Sequence, residues 1–180
     1  MIPEETRFVH FGHFKFSKDA LLHRSEGAEY MESVNYKPDG LWASPKLDEL
    51  EGVQSDWSDW CYHEDYDMEK LNVGFSFGLT EDANILCIDS PRDIIPYISN
   101  IDEYESEEDA LSCIQFNPPR IDFQSIYSEY DGMYVPYHEN YPAFATSIFI
   151  NYDVDSLCVW NPDVVCGVES FKQNYDKVIW

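Results

Sequence analysis

Apolar and polar positions alternate over several short stretches of this chain, while helical spacing governs only a few. Residues 7–16 alternate aromatic and apolar side chains with His, Gly and Lys, which predicts a strand. Ser17 then reads as the N-cap of a short helix over 18–24, and residues 26–36 are ambiguous. Leu41 to Ser44 predicts a short strand behind the Pro38–Gly40 turn. Ser55 predicts a helix start, and i, i+3, i+4 spacing puts Trp57, Trp60 and Cys61 on one face of that helix.

Residues 71–79 place Leu, Val and Phe against Asn, Gly and Ser, the pattern of a half-buried strand, and residues 83–89 predict a more fully buried one. Ser90-Pro91-Arg92-Asp93 supplies a cap, a proline for the first helical position and an acid, and Pro96 should cut that helix short. Six acids between Asp102 and Asp109 predict a solvated loop leading into a short helix through Cys113. Residues 121–129 predict a helix with Phe123, Ile126 and Tyr127 facing inward. Strands are expected over 132–137, 144–150 and 153–160, and the tail after Asn161-Pro162 gives no clear signal. Short strands and helices without a βαβ rhythm predict an α+β fold with a mixed, mainly antiparallel sheet and short flanking helices. No repeat or long linker divides the 180 residues, so residues 1–180 read as a single domain.

Charge narrows the classes of function. The 35 acidic and 11 basic side chains give a net charge of −24, which repels nucleic-acid phosphates and anionic lipid heads. Direct nucleic-acid or membrane binding is therefore not expected, whereas a basic protein partner is favoured electrostatically. The acidity also has the simpler role of keeping a protein soluble. The five cysteines lie apart among apolar neighbours and read as reduced core thiols, and the opening residues lack the apolar run of a signal peptide, so a cytoplasmic setting is expected. No run of about 18 apolar residues suggests a membrane span.

The candidate chemistry gathers around aromatic residues. Trp42 and Ser44 follow a Gly turn, and Trp57 and Trp60 stand on a helix, a density of indole that suits a flat-ring pocket as well as a core. On an extended strand His10 and His13 would face opposite sides, so they do not read as a metal pair, and no zinc spacing accompanies Cys61 and His63. His10, beside Gly12, suits a ligand-facing role as well as a structural one. No phosphate loop or nucleophile elbow is present, and nothing around Ser44 or Cys61 marks an activated nucleophile.

Three blocks taken in order carry a resemblance. They are His10-Phe11-Gly12, then Gly40-Leu-Trp42-Ala-Ser44 with Trp57-x-x-Trp60-Cys61, and then Tyr130-Asp131-Gly-Met-Tyr134-Val before the stretch from Tyr152 to Asn161. Over roughly residues 7–165 this layout resembles a group of uncharacterised bacterial and phage proteins. It is also similar to that of ADP-ribosyltransferases of the diphtheria-toxin and poly-ADP-ribose-polymerase type. The resemblance implies a split β core that grips the nicotinamide end of NAD as substrate, and transfer of ADP-ribose to a protein or other macromolecular acceptor, as by a toxin or phage effector. It implies that His10 holds the ribose, with Phe11 and Gly12 beside it. Trp42, Ser44 and Tyr130 would contribute to the NAD pocket, and Asp131 and Tyr134 would stand at the catalytic motif. That motif usually supplies a Glu where this chain has Tyr134, and a phenol carries no negative charge at neutral pH. Either Asp131 or Glu139 takes over, or the chain binds without turnover. The alternative to the transferase is a non-catalytic acidic protein that blocks a basic, nucleic-acid-binding partner.

Overall fold

A computed structural model describes residues 2, 5–19, 36–47, 52–112, 119–137, 148–149 and 152–175. Its centre is an eight-stranded sheet, antiparallel except at one pair, with short helices against it, which makes the fold mixed α+β. The strands are β1 (Phe8–Phe11), β2 (Leu41–Leu47), β3 (Gln54–Ser55), β4 (Val73–Leu79), β5 (Ile85–Cys87), β6 (Gly132–Val135), β7 (Ser156–Val159) and β8 (Val165–Lys172). Their order is β5-β6-β7-β2-β1-β4-β8, β3 pairs with β2 off this path, and β5 and β6 are the parallel pair.

Strand β2 changes partners along its length. Leu41, Trp42 and Ala43 pair with β7, whereas Ser44 and Pro45 pair with β1. The β1–β2 ladder therefore stops at Val9↔Ser44, and beyond it the two strands part. This fork positions the site described below.

The register sorts the side chains between two faces, because directly opposed residues share a face. Phe8, Leu41, Phe75, Phe77, Tyr134, Leu157 and Val159 form one core cluster. On the other face, Met133, Val135, Ile88, Ile94, Phe123 and Ile126 pack with α2 (Glu107–Ser112), α3 (Phe123–Glu129) and the turns between them. Val9, Phe11, Cys61 and Leu71 form a third cluster under α1 (Asp56–Glu64).

Local signals explain most element boundaries. Ser55 caps α1 with a reciprocal box: its hydroxyl accepts from the Ser58 backbone, and the Ser58 hydroxyl accepts from the Ser55 backbone. Asp122 caps α3, which begins at Phe123 rather than at residue 121. Pro91–Tyr97 is capped by Ser90 as expected, but it is a 3-10 helix that continues through Pro96. Two prolines in seven residues remove amide donors, and the tighter turn tolerates that loss better than an α-helix would. The expected strand over 7–16 ends at Phe11, because Gly12 adopts φ 96°. The expected strand over 71–79 begins only at Val73, after a 3-10 turn at Met68–Asn72.

Of the helix expected over 18–24, Lys18 and Asp19 are helical and the rest lies outside the described residues. The strand expected over 144–150 also falls largely outside them; Ile148 and Phe149 form a buried turn rather than a strand. Cys113 and Glu139 lie outside as well. No described helix is long and apolar enough to cross a membrane.

Candidate functional site

The fork between β1 and β2 opens into a cavity of about 500 Å³, within the size range of small-molecule sites. Four pieces of chain wall it, one of them Val154 and Ser156 at the entrance of β7. Strand β1 and the Gly12 turn contribute His10 and His13, and Lys37 to Ser44 contributes Lys37, Trp42 and Ser44. The third wall is α1 and the turn after it, with Trp57, Tyr66, Asp67 and Lys70.

His10 sits where the ladder ends. Its Nδ1 donates to the Trp42 carbonyl, freed by the parting of the strands, at 2.7 Å. A carbonyl only accepts, so this contact fixes the proton on Nδ1. Burial lowers the His10 pKa, an effect opposed by the Trp42 bond and reinforced by His13, so His10 is neutral and its Nε2 has a lone pair. The His13 Nδ1 then donates to that Nε2 at 2.8 Å, and the two rings lie nearly coplanar, their centroids 5.1 Å apart. The result is a directed chain from His13 through His10 to the Trp42 carbonyl, with the His13 Nε2 at its outer end.

The two histidines were expected on opposite faces, and the structure corrects this. Gly12 breaks the strand between them, and its amide donates to the Lys70 and Val73 carbonyls at 3.1 and 2.9 Å. The turn thereby folds His13 back onto His10 and ties the β1 end to the Lys70 wall.

The aromatic wall is built of rings in mutual contact. Trp57 and Trp60 stack at 4.9 Å with 16° between planes, and Tyr66 meets both edge-on. Trp57 and Tyr66 line the cavity, and Trp60 backs them. Trp42 is fixed by an indole bond from Nε1 to the Pro38 carbonyl at 3.2 Å and by contact with Tyr152. Ser44 is buried, and its hydroxyl donates to Ser55 at 2.7 Å and accepts from the Trp57 amide at 3.3 Å. Its main role is therefore to anchor the start of α1. Cys61 also lines the cavity, but burial pushes its thiol up to about 12, so it carries no thiolate near neutral pH.

The residues of the expected catalytic motif lie elsewhere. Tyr134 opposes Leu157, which opposes Ala43, so the register puts its ring on the sheet face away from Trp42 and Ser44. Its phenol donates to Asp155 at 2.6 Å, and burial pushes its pKa upward. Asp131 accepts from the Asn84 amide at 2.9 Å and from the Asn161 side chain at 2.6 Å, joining the entrance of β5 to the chain after β7. The Tyr130 carbonyl accepts from the Trp160 indole at 2.6 Å, and its hydroxyl meets that of Tyr97. None of the three lines the cavity. His10, Phe11, Gly12, Trp42 and Ser44 do.

Lys37, Tyr66, Asp67 and Lys70 were not singled out from the sequence, and His13 was weighed there only as half of a metal pair. Asp67 is the one carboxylate among the described lining residues, and Lys70 pairs with it at 2.6 Å. Asp65 and Asp67 take left-handed backbone, φ 51° and 48°, which turns the chain after α1 back toward β1. In so acidic a chain neither aspartate could be marked from sequence. Among the described residues, no group of three or more His, Cys, Asp or Glu is placed to hold a metal ion.

A second cavity, about 680 Å³, is lined by Phe8, Ile85, Cys87 and Glu5 among others, with no Lys, Arg or Trp among the described residues that line it. No protein-family model matches the chain, and neither curated proteins nor solved structures yield a match.

Proposed function

We propose that the fork cavity binds the planar heteroaromatic end of a small ligand, with the nicotinamide end of NAD as the candidate the resemblance supplies. The observation that carries this reading is one cavity holding a stacked-indole wall, a second indole and a hydrogen-bonded histidine pair. Rings already in mutual contact lose little side-chain freedom on stacking, so ring contact there translates efficiently into affinity.

The residues present fit the ring better than they fit the transfer step. Both His10 nitrogens are engaged, so the ribose would meet His13 Nε2 rather than His10. Positive charge develops on the ribose as nicotinamide leaves, and a carboxylate beside it would stabilise that charge. Tyr134 and Asp131 do not line the cavity, and the cavity's Asp67 is already paired with Lys70. The reading is therefore ligand binding first. Transfer of ADP-ribose to a macromolecular acceptor is an extension that needs Asp67 released from Lys70.

The test is NAD-dependent thermal stabilisation together with nicotinamide release, with and without a cell lysate as acceptor. A ligand that binds only the folded chain raises its melting temperature. Stabilisation lost in His10→Ala and Trp57→Ala, without release, supports the binding reading. Release that stops in Asp67→Asn supports transfer or hydrolysis. Neither stabilisation nor release removes NAD as the ligand and shifts weight to the acidic, partner-blocking alternative.

A further inference from the structure

We infer that Lys37 forms an anion subsite in this cavity, so that the preferred ligand is a planar ring joined to a phosphate rather than a bare ring or nucleoside. This rests on the ring-binding reading above and adds to it the ligand's charge and the residue that reads it.

The inference begins from scarcity. Acidic side chains outnumber basic ones by 35 to 11, and a lysine in such a chain finds a carboxylate easily. The other cavity lysine does so, since Lys70 is paired with Asp67. Lys37 forms no ion pair within 4.0 Å among the described residues. Its ammonium lies instead over two rings, 5.7 Å from the centre of Trp42 and 5.4 Å from that of Tyr152. It is half-buried and lines the cavity. Burial lowers its pKa and Asp153 partly opposes this, the pattern of a cation held where water solvates it poorly.

A half-buried ammonium that Asp153 offsets only in part gains further when an anion arrives, because the attraction acts where screening by water is weak. Lysine acts on phosphate as a point charge and needs no fork geometry. The rings beneath Lys37 restrict where it can reach, so the anion must come from the cavity side. A neutral ring alone would leave this charge answered only in part by Asp153, and a pyridinium ring without a phosphate would be repelled by it. Net charge makes the subsite selective, since the acidic surface repels an anion, which binds only where a cation is presented.

The experiment compares nicotinamide mononucleotide with nicotinamide riboside, which differ by the phosphate alone, by calorimetric titration of the full chain. The wild type should bind the mononucleotide more tightly than the riboside, by about tenfold or more for a charge-assisted contact. Lys37→Gln should abolish that difference, by weakening the mononucleotide and by easing the repulsion of the riboside's pyridinium ring, and Lys37→Arg should restore most of it. A thermal melt of each variant establishes that it is folded. Equal affinity for the two probes in the wild type, or a difference that persists in Lys37→Gln, overturns the subsite and leaves ring binding standing. Binding of neither probe overturns both.

Discussion

The His10 imidazole does the work of a missing strand residue. Where β1 and β2 part, the Trp42 carbonyl would lose its ladder partner, and His10 Nδ1 supplies it. This gives stability a pH dependence of known sign. The folded-state pKa of His10 lies below the ordinary 6.5, so below that pH the unfolded chain takes up the proton more readily than the folded one. The contribution is complete above about pH 6.5 and is lost as pH falls toward the lowered folded value. Urea midpoints measured between about pH 7.5 and 5.5 should fall in the wild type and fall less in His10→Asn. An unchanged slope would mean that His10 does not carry the effect. Tyr134 makes the opposite kind of prediction. Its phenol serves Asp155 within the fold, so Tyr134→Phe should cost about 1–2 kcal/mol of stability and leave any NAD-induced thermal shift in place. A folded Tyr134→Phe protein that had lost the shift would put the phenol back in the site.

At the scale of elements, α1 is set in place by hydroxyls. Ser55 caps the helix and receives the Ser44 hydroxyl, so one side chain joins β2, β3 and α1. Ser55→Ala should cost about 1–2 kcal/mol by denaturant unfolding, since it removes a cap and leaves a buried hydroxyl without its acceptor. It should also weaken ligand binding, because α1 carries Trp57. A change within a few tenths of a kcal/mol would show the cap to be dispensable. This cap was legible in the sequence, as were Ser90 with Pro91 and the alternation behind β4, because capping and pleat are local rules. Strand β8 was not, because its exposed edge position leaves most of its side chains outside the core and erases the alternation. The fork in β2 and the parallel β5–β6 pair were hidden for a different reason: pairing partners are set by tertiary register. The same limit governed the site. Phe11, Trp42 and Ser44 reached the cavity with the indole wall, but Tyr134 was sent to the far face by a register that local pattern does not encode. His13 was misread because the period of two was carried across Gly12.

For the whole molecule, the net charge of −24 opposes compaction and governs association. Screening should relieve that self-repulsion, so the melting temperature should rise between about 0.01 and 0.15 M salt. A fall would mean that the ion pairs at Arg92, Arg120 and Lys18 outweigh the repulsion, contrary to the small worth of exposed pairs. The same charge favours a basic partner, whose binding would weaken steeply with salt and ignore Trp57, unlike a ring in the fork cavity. Calorimetric titration of NAD into the wild type and Trp57→Ala tests the central claim most directly. The account predicts saturable one-site binding to the wild type, weakened about tenfold or more when the stacked indole is removed. No saturable binding, or equal affinity in a folded Trp57→Ala protein, would contradict it.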